Sequence, residues 1–152
     1  MSYTIQCEQE IPISLNEAWE FFSRPGNLEK LTPKDIGFEI LHNDSEVMHE
    51  GQIICYKIGI LPMIKVNWVT EITKVIDKVR FVDDQRVGPY KLWHHTHEFV
   101  ETTNGVLMKD RVHYALPFGI IGKIAHVLFV RKKLQQIFAF RKQAVEEFFS
   151  KK

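Results

Sequence analysis

The stretch Gly-Pro-Tyr-Lys-Leu-Trp-His-His-Thr-His-Glu-Phe, residues 88–99, is the most informative part of this chain. A Gly-Pro turn leads into a predicted strand, and the side chains that alternate onto one of its faces are Trp93, His95, His97 and Phe99. A strand facing an ordinary core would carry Val, Ile or Leu at these positions. Two imidazoles are costly to bury unless they are hydrogen-bonded or contact a ligand. We therefore expect this face to line a cavity.

The next strand follows a hairpin signal at Asn104 and Gly105, a pair typical of a two-residue type I′ turn. This turn would pair Thr103 with Val106. Such a register places three side chains of the second strand on the histidine face. These are Asp110 opposite Phe99, Val112 opposite His97 and Tyr114 opposite His95.

The remaining elements extend outward from this hairpin. Before it, the pattern predicts a strand over 2–11 and then two helices. The first helix starts at the capping box of Ser14 and Glu17 and ends before Pro25, and the second is short and covers 26–31. Four more strands are predicted over 36–42, 51–60, 63–75 and 78–86. After it, a helix of about 30 residues starts near Gly119. An antiparallel sheet covered by one long terminal helix is an α+β arrangement.

The terminal helix is expected to turn an apolar stripe toward the sheet. The stripe comprises Ile124, Val127 or Leu128, Leu134, Ile137 or Phe138, Val145 and Phe148. Arg131 and Arg141 lie on or beside it and are expected to reach a carboxylate such as Glu146 or an acidic ligand head.

The overall composition narrows the class of protein. The chain has 152 residues and a formal net charge of +1, so no basic field favours nucleic acid. The first residues lack the regions of a signal peptide, and no apolar run is long enough to span a bilayer. Cys7 and Cys55 are not spaced as CxxC, which favours two reduced thiols. We expect one cytoplasmic domain over residues 1–152.

Read with its motifs, this order resembles the START-like (SRPBCC) superfamily of helix-grip, Bet v 1-like proteins, in particular its bacterial ligand-binding cyclase/dehydrase-like branch. The segments that carry the resemblance are PGNLEKLTP at 25–33, FVDDQ at 81–85, GPY at 88–90, WHHTHEF at 93–99, DRVHY at 110–114, PFG at 117–119 and FAFR at 138–141. The resemblance implies six to seven strands wrapped round the terminal helix, two short helices after the first strand, and a cavity between sheet and helix. A hydrophobic or amphipathic small molecule, such as a lipid, polyketide, quinone or sterol-like compound, is its implied occupant.

The residues expected to contact this ligand face the cavity in the predicted register. They are Tyr56, Trp68, Phe81, Asp83, Trp93, His95, His97, Phe99, Asp110, Tyr114 and Phe138. The Cβ atoms of His95 and His97 lie roughly 6.6 Å apart on one side of a strand. This spacing suits joint contact with a polar ligand head. It is also compatible with two hydrogen-bonded core histidines, with a metal ion or with acid–base catalysis.

A dedicated metal site or cofactor is not expected. His95, His97 and Glu101 imitate the first half of a cupin metal motif, but the second half is missing and a long terminal helix does not suit a jelly roll. We expect any metal binding by these residues to be adventitious.

An enzyme is the second hypothesis. Asp110 paired with His95 or His97 could act as an acid–base unit of the aromatase/cyclase type. No independent nucleophile or cofactor motif supports this reading. Alternatively, Asp110 is not catalytic and lies at the open rim of the cavity, in contact with water.

The third hypothesis concerns residues 118–130, which are apolar almost all round and precede the basic run 131–133. Such a segment is typical of a helix end that docks on a membrane. A helix buried on more than one side, or a dimer contact, would give the same pattern. Phe129 and Val130 are expected to face outward. We expect a monomer or weak dimer with peripheral membrane contact through 118–133.

Overall fold

The computed structural model describes residues 2–61 and 64–150, and in this part of the chain seven strands form one antiparallel sheet. The strands are β1 (Tyr3–Ile11), β2 (Glu39–Asn43), β3 (Ile53–Leu61), β4 (Ile64–Ile76), β5 (Arg80–Val87), β6 (Leu92–Thr102) and β7 (Gly105–Ala115). Their order is β1-β7-β6-β5-β4-β3-β2, so the first strand returns to pair with the last. At one free edge, β2 is short and its pairing with β3 shifts between Ile40 and His42.

Helices cover one face of this sheet. Helix α1 (Leu15–Phe22) and two 3-10 turns (Pro25–Leu31 and Lys34–Ile36) follow β1. The C-terminal helix, Gly119–Ser150, consists of α2 (Gly119–Ala125), a π-helical turn (His126–Val130) and α3 (Arg131–Ser150). The predicted helix-grip arrangement is confirmed. No helix in the described part of the chain is long and apolar enough to cross a bilayer.

The capping box predicted at the start of α1 is present. The Glu17 amide donates to Ser14 Oγ at 3.2 Å, and the Ser14 amide donates to Glu17 Oε2 at 3.1 Å. The reciprocal bonds satisfy two of the amides that a helix start leaves without partners. Helix α1 then buries Ala18, Trp19 and Phe22 against the sheet.

The predicted register of the β6–β7 hairpin is wrong by two residues. Thr102 pairs with Gly105, so the loop consists of Thr103 and Asn104. Asp110 therefore lies opposite His97 instead of Phe99, and it is buried instead of sitting at the rim. Because side chains alternate with a period of two, this shift leaves every residue on the face that was expected.

The position of Gly105 explains the shift. It is the first residue of β7, its φ is 141°, and a Cβ atom there would collide with the Ile11 carbonyl oxygen. The glycine is thus required for the close approach of β7 to the end of β1, not for the turn itself.

Two hydrophobic clusters fill the space between the sheet and its helices. The first packs α1 and the end of α3 on the sheet and includes Trp19, Phe22, Phe81, Phe99 and Val145. The second lies further along the helix and consists of Val112, Tyr114, Leu134 and Phe138, with Tyr90 and Trp93 packed against it.

The predicted stripe of the C-terminal helix is correct only in α3. Ile124, Val127 and Leu128 were expected to face the sheet, but all three are exposed. Gly122 and His126 are buried in their place, and Val130, which was expected to face outward, packs against the Tyr114 cluster. The π-helical turn adds a residue to one helical turn, and this rotates the apolar face away from the position that a uniform 3.6-residue period gives.

Replacing Gly105 by Ala should destabilise the fold by about 1–3 kcal/mol, because a Cβ would collide with the Ile11 carbonyl. Gly26→Ala is the matched control, since a Cβ there meets no atom within 4 Å, and it should change stability by no more than about 0.5 kcal/mol. Urea unfolding of both variants measures the difference. Equal stabilities would contradict the close approach.

Candidate functional site

Five polar residues from four elements meet between the sheet and α3. We call them the His–Asp network: Asp83 on β5, His95 and His97 on β6, Asp110 on β7 and Arg141 on α3. Strand pairing brings four of them together, since Asp83 lies opposite His95 and Asp110 lies opposite His97. His97, His95 and Asp110 are embedded in the domain, with exposed fractions of 3%, 7% and 7%.

Each carboxylate contacts both imidazole rings. Asp110 Oδ1 lies 3.0 Å from His95 Nε2 and 2.8 Å from His97 Nδ1. Asp83 Oδ2 lies 2.8 Å from His97 Nε2 and 3.5 Å from His95 Nδ1. The two rings are tilted by 38° to each other, with their centroids 3.7 Å apart. All four ring nitrogens therefore face a carboxylate.

Arg141 adds the fifth group from the helix side. Its Nη2 atom is 3.7 Å from Asp110 Oδ1, and its guanidinium lies over the ring of Phe22 at 5.7 Å. Arg141 thus reaches a carboxylate, as the sequence predicts, although the carboxylate is Asp110 rather than Glu146. The contact with Asp110 also fixes α3 against β7.

Burial and the neighbouring charges shift the pKa values of the groups in the network. Burial raises the pKa of Asp110, but Arg141 and the two imidazoles outweigh it and hold that pKa well below its usual value. Burial lowers the pKa of His97, yet its bonds to both carboxylates raise it overall. The pKa of His95 is lowered by burial and by the neighbouring His97.

His97 therefore holds a second proton more readily than His95 does. His95 Nε2 lies at hydrogen-bond distance from Asp110 Oδ1, 3.0 Å, whereas its Nδ1 is 3.5 Å from Asp83 Oδ2. The pKa of Asp83 is lowered, because the imidazoles outweigh its burial. The Arg141 guanidinium offsets one of the two carboxylates, and His97 is the imidazole better placed to carry a second positive charge.

Aromatic rings enclose the network. Phe81 stacks on His97 with centroids 4.2 Å apart, while Phe138 and Trp93 approach His95 edge-on at 5.8 and 6.2 Å. The network therefore separates the two hydrophobic clusters. Rings on both sides also exclude water, which strengthens each charged contact.

This arrangement brings together the residues of the acid–base hypothesis, His95, His97 and Asp110. Both nitrogens of His97 are already engaged by carboxylates. The network thereby orients two imidazoles, and among the four ring nitrogens only His95 Nδ1 lacks a hydrogen bond.

Three further predicted ligand residues lie elsewhere on the same face. The Tyr56 hydroxyl lies 2.9 Å from Thr70 Oγ1, and the Trp68 indole N–H donates to that same oxygen at 3.0 Å. Burial and the nearby Asp83 raise the pKa of Tyr56. Phe99 packs on Phe22 in the first hydrophobic cluster. A ligand-binding role for these residues stays a prediction.

A groove of about 620 Å³ lies between β1 and the C-terminal helix, away from the network. Its lining residues are Tyr3, Thr4, Ile5, Gln6, Tyr114, Lys123, His126, Val127, Arg131 and Gln135. Tyr114 is the one member of the predicted ligand set among them. We call this feature the β1 groove.

A buried histidine organises the wall of the β1 groove. His126 Nε2 lies 2.9 Å from the Tyr114 hydroxyl, and the Tyr3 ring stacks on the imidazole at 3.5 Å. Sequence reasoning did not select His126 or Tyr3. The signal that could have found His126 is its position as the lone histidine in the apolar segment 118–130.

No protein-family model and no curated protein matches the sequence. Among solved structures, norcoclaurine synthase from Thalictrum flavum is 18% identical, with a TM-score of 0.68 over 97% of this chain and 86% of that chain. The protein TTHA0849 from Thermus thermophilus is 18% identical, with a TM-score of 0.67 over 95% of each chain. Ara h 8.0201 is 15% identical, with a TM-score of 0.58 over 97% of this chain and 99% of that one. At these identities the likeness establishes the fold alone.

Asp110→Asn should destabilise the protein by about 3–5 kcal/mol, because it leaves the Arg141 guanidinium and two imidazoles buried without their shared carboxylate. Asp84→Asn is the matched control. Asp84 also pairs with a histidine, His94 at 2.7 Å, but that histidine is 41% exposed, so we expect a loss of about 1 kcal/mol or less. Urea unfolding distinguishes the two, and a small loss in Asp110→Asn would show that the buried network contributes little.

Proposed function

We propose that this chain, which has the Bet v 1-like helix-grip fold, binds an amphipathic small molecule with an acidic head in the β1 groove. We further propose that it exchanges this molecule with an anionic membrane surface through the helix that borders the groove. The fold and the groove support ligand binding. The neighbour norcoclaurine synthase, for which a point mutant was solved with a transition-state analogue, supports the capacity of this fold to hold a small molecule.

The observation that carries the proposal is an exposed apolar surface on the C-terminal helix. The surface consists of Phe118, Ile120, Ile121, Ile124, Val127, Leu128 and Phe129, each 56–79% exposed. These residues lie on consecutive turns of one helical segment, so they form one patch. A contiguous apolar patch of this kind is typical of a protein or membrane contact.

The charge around the apolar surface favours an anionic membrane over a neutral partner. Lys123, Arg131 and Lys132 are exposed beside it, whereas Lys133 pairs with Asp35 at 3.1 Å. The sequence contains no Asp or Glu from residue 111 to residue 145. Basic residues flanking an apolar helix face are attracted to anionic lipids while the apolar side chains enter the interface.

The β1 groove opens beside this surface, because Val127 belongs to both. Lys123 and Arg131 also line the groove, and no carboxylate does among the described residues. Two cations without an acidic partner favour a ligand with a carboxylate, phosphate or sulfate head. The volume of about 620 Å³ is typical of a small-molecule site.

Membrane docking predicts that wild-type protein floats with vesicles containing anionic phospholipid and less with purely zwitterionic vesicles. Phe129→Asp should lower the bound fraction about tenfold or more, because it replaces a large apolar contact by a charge that anionic lipid repels. Val79→Asp is the control, since Val79 is an exposed apolar residue in the β4–β5 turn, at the opposite end of the sheet. No effect of Phe129→Asp, or an equal effect of both variants, would contradict docking through this surface.

If the β1 groove recognises an acidic head, laurate should bind more tightly than dodecanol, which has the same chain length and an uncharged head. Isothermal titration calorimetry measures both affinities. The double variant Lys123→Gln/Arg131→Gln should weaken laurate binding about tenfold or more and leave dodecanol binding unchanged, because only the carboxylate makes charge-assisted hydrogen bonds. The double variant Lys109→Gln/Arg111→Gln, which removes two cations from the outward face of β7, controls for net charge. If laurate does not bind, or if Lys109→Gln/Arg111→Gln weakens its binding equally, the acidic-head proposal is wrong.

A further inference from the structure

The geometry points to a binding site for one divalent transition-metal ion, held by Asp83, His95 and His97 inside the His–Asp network. Each of the three residues offers one ligand atom, and these atoms all lie within 4.8 Å of one another. The site is separate from the β1 groove and does not depend on the proposed function.

Three ligand atoms converge on one point. Asp83 Oδ2 lies 2.8 Å from His97 Nε2 and 3.5 Å from His95 Nδ1. Two imidazole nitrogens and a carboxylate oxygen at such separations are compatible with one shared ion in the middle. His95 and His97 are two residues apart on β6, so the strand itself holds both rings on the same side.

The other two ring nitrogens contact Asp110, which lies outside this triad, and Arg141 Nη2 also lies 3.4 Å from His97 Nδ1. Asp110 Oδ1 lies 3.0 Å from His95 Nε2 and 2.8 Å from His97 Nδ1. A metal-binding histidine commonly donates its second ring N–H to a carboxylate, which fixes the tautomer and the ring orientation. Here one carboxylate performs this role for both rings and leaves His95 Nδ1 and His97 Nε2 directed at Asp83.

A metal ion would take the place of a hydrogen at the point of convergence. His97 Nε2 lies 2.8 Å from Asp83 Oδ2, a hydrogen-bond distance, so one hydrogen lies between these two atoms in the metal-free network. Metal binding would release this hydrogen to solvent as a proton.

The donor set selects the kind of ion. Two imidazoles with one carboxylate suit Zn²⁺ and other divalent first-row transition metals, while Mg²⁺ and Ca²⁺ prefer oxygen ligands. Three protein ligands leave a coordination position for water or another small ligand. The Asp83 side chain is 15% exposed, more than either histidine, so this is the side from which an ion would enter.

The test uses the chelator-treated 152-residue chain and Co²⁺ as a spectroscopic probe, followed by competition with Zn²⁺. We expect one Co²⁺ per chain with visible ligand-field absorption that one equivalent of Zn²⁺ removes. Asp83→Asn and His97→Gln should each weaken binding about 100-fold or more. The matched control is His94→Gln, which alters an exposed histidine on the same strand, 2.7 Å from Asp84, and should bind as wild type does.

The proposal is overturned if folded wild-type protein gives no Co²⁺ absorption, or if His94→Gln loses as much affinity as Asp83→Asn. Circular dichroism checks whether the variants fold. Should Asp83→Asn or His97→Gln fail this check, ring-nitrogen NMR of the wild-type protein decides. Zn²⁺ should then shift the resonances of His95 and His97 but not that of His94, and unshifted His95 and His97 resonances would refute the site.

Discussion

The burial of ionised groups between the sheet and α3 is the constraint on which the rest of the structure depends. Removing two carboxylates and a guanidinium from water costs several kcal/mol for each ion, and only well-aligned partners offset this cost. The partners come from β5, β6, β7 and α3, so the contacts of Asp110 with His97 and Arg141 require these elements to be in place. A one-residue slip of β6 would turn His94 and Thr96 inward and leave both carboxylates without their present partners.

Much of this arrangement could be predicted from the sequence because it follows from short-range periodicity. Alternation along the strands places Asp83, His95, His97 and Asp110 on one face, and the capping box marks the start of α1. The two-residue register error did not affect these assignments. The error arose because a glycine after an asparagine is typical of a turn. Gly105 is instead needed because β1 approaches it closely, and the sequence of the hairpin gives no information about β1.

The features that sequence reasoning missed depend on contacts between distant segments or on a departure from regular geometry. Arg141 on α3 pairs with Asp110 on β7, and because these residues are far apart in the sequence, no local sequence pattern predicts their contact. The π-helical turn at His126–Val130 interrupts the 3.6-residue period of the C-terminal helix. The prediction of the buried face is therefore wrong for the residues before α3, and apolar residues that were expected to be buried there are exposed. His126 then meets Tyr3 and Tyr114, which no pattern in the sequence connects.

The order of the strands leaves an open sheet with two free edges, and an uncovered edge invites pairing with another chain. At one edge, β2 is five residues long and its ladder is interrupted between Ile40 and His42, which limits the length available to an incoming strand. At the other edge, the Gln9 side chain of β1 donates to the Lys142 carbonyl of α3 at 2.9 Å, so the helix shields that part of the strand. The domain therefore resists edge-to-edge aggregation by a different means on each side.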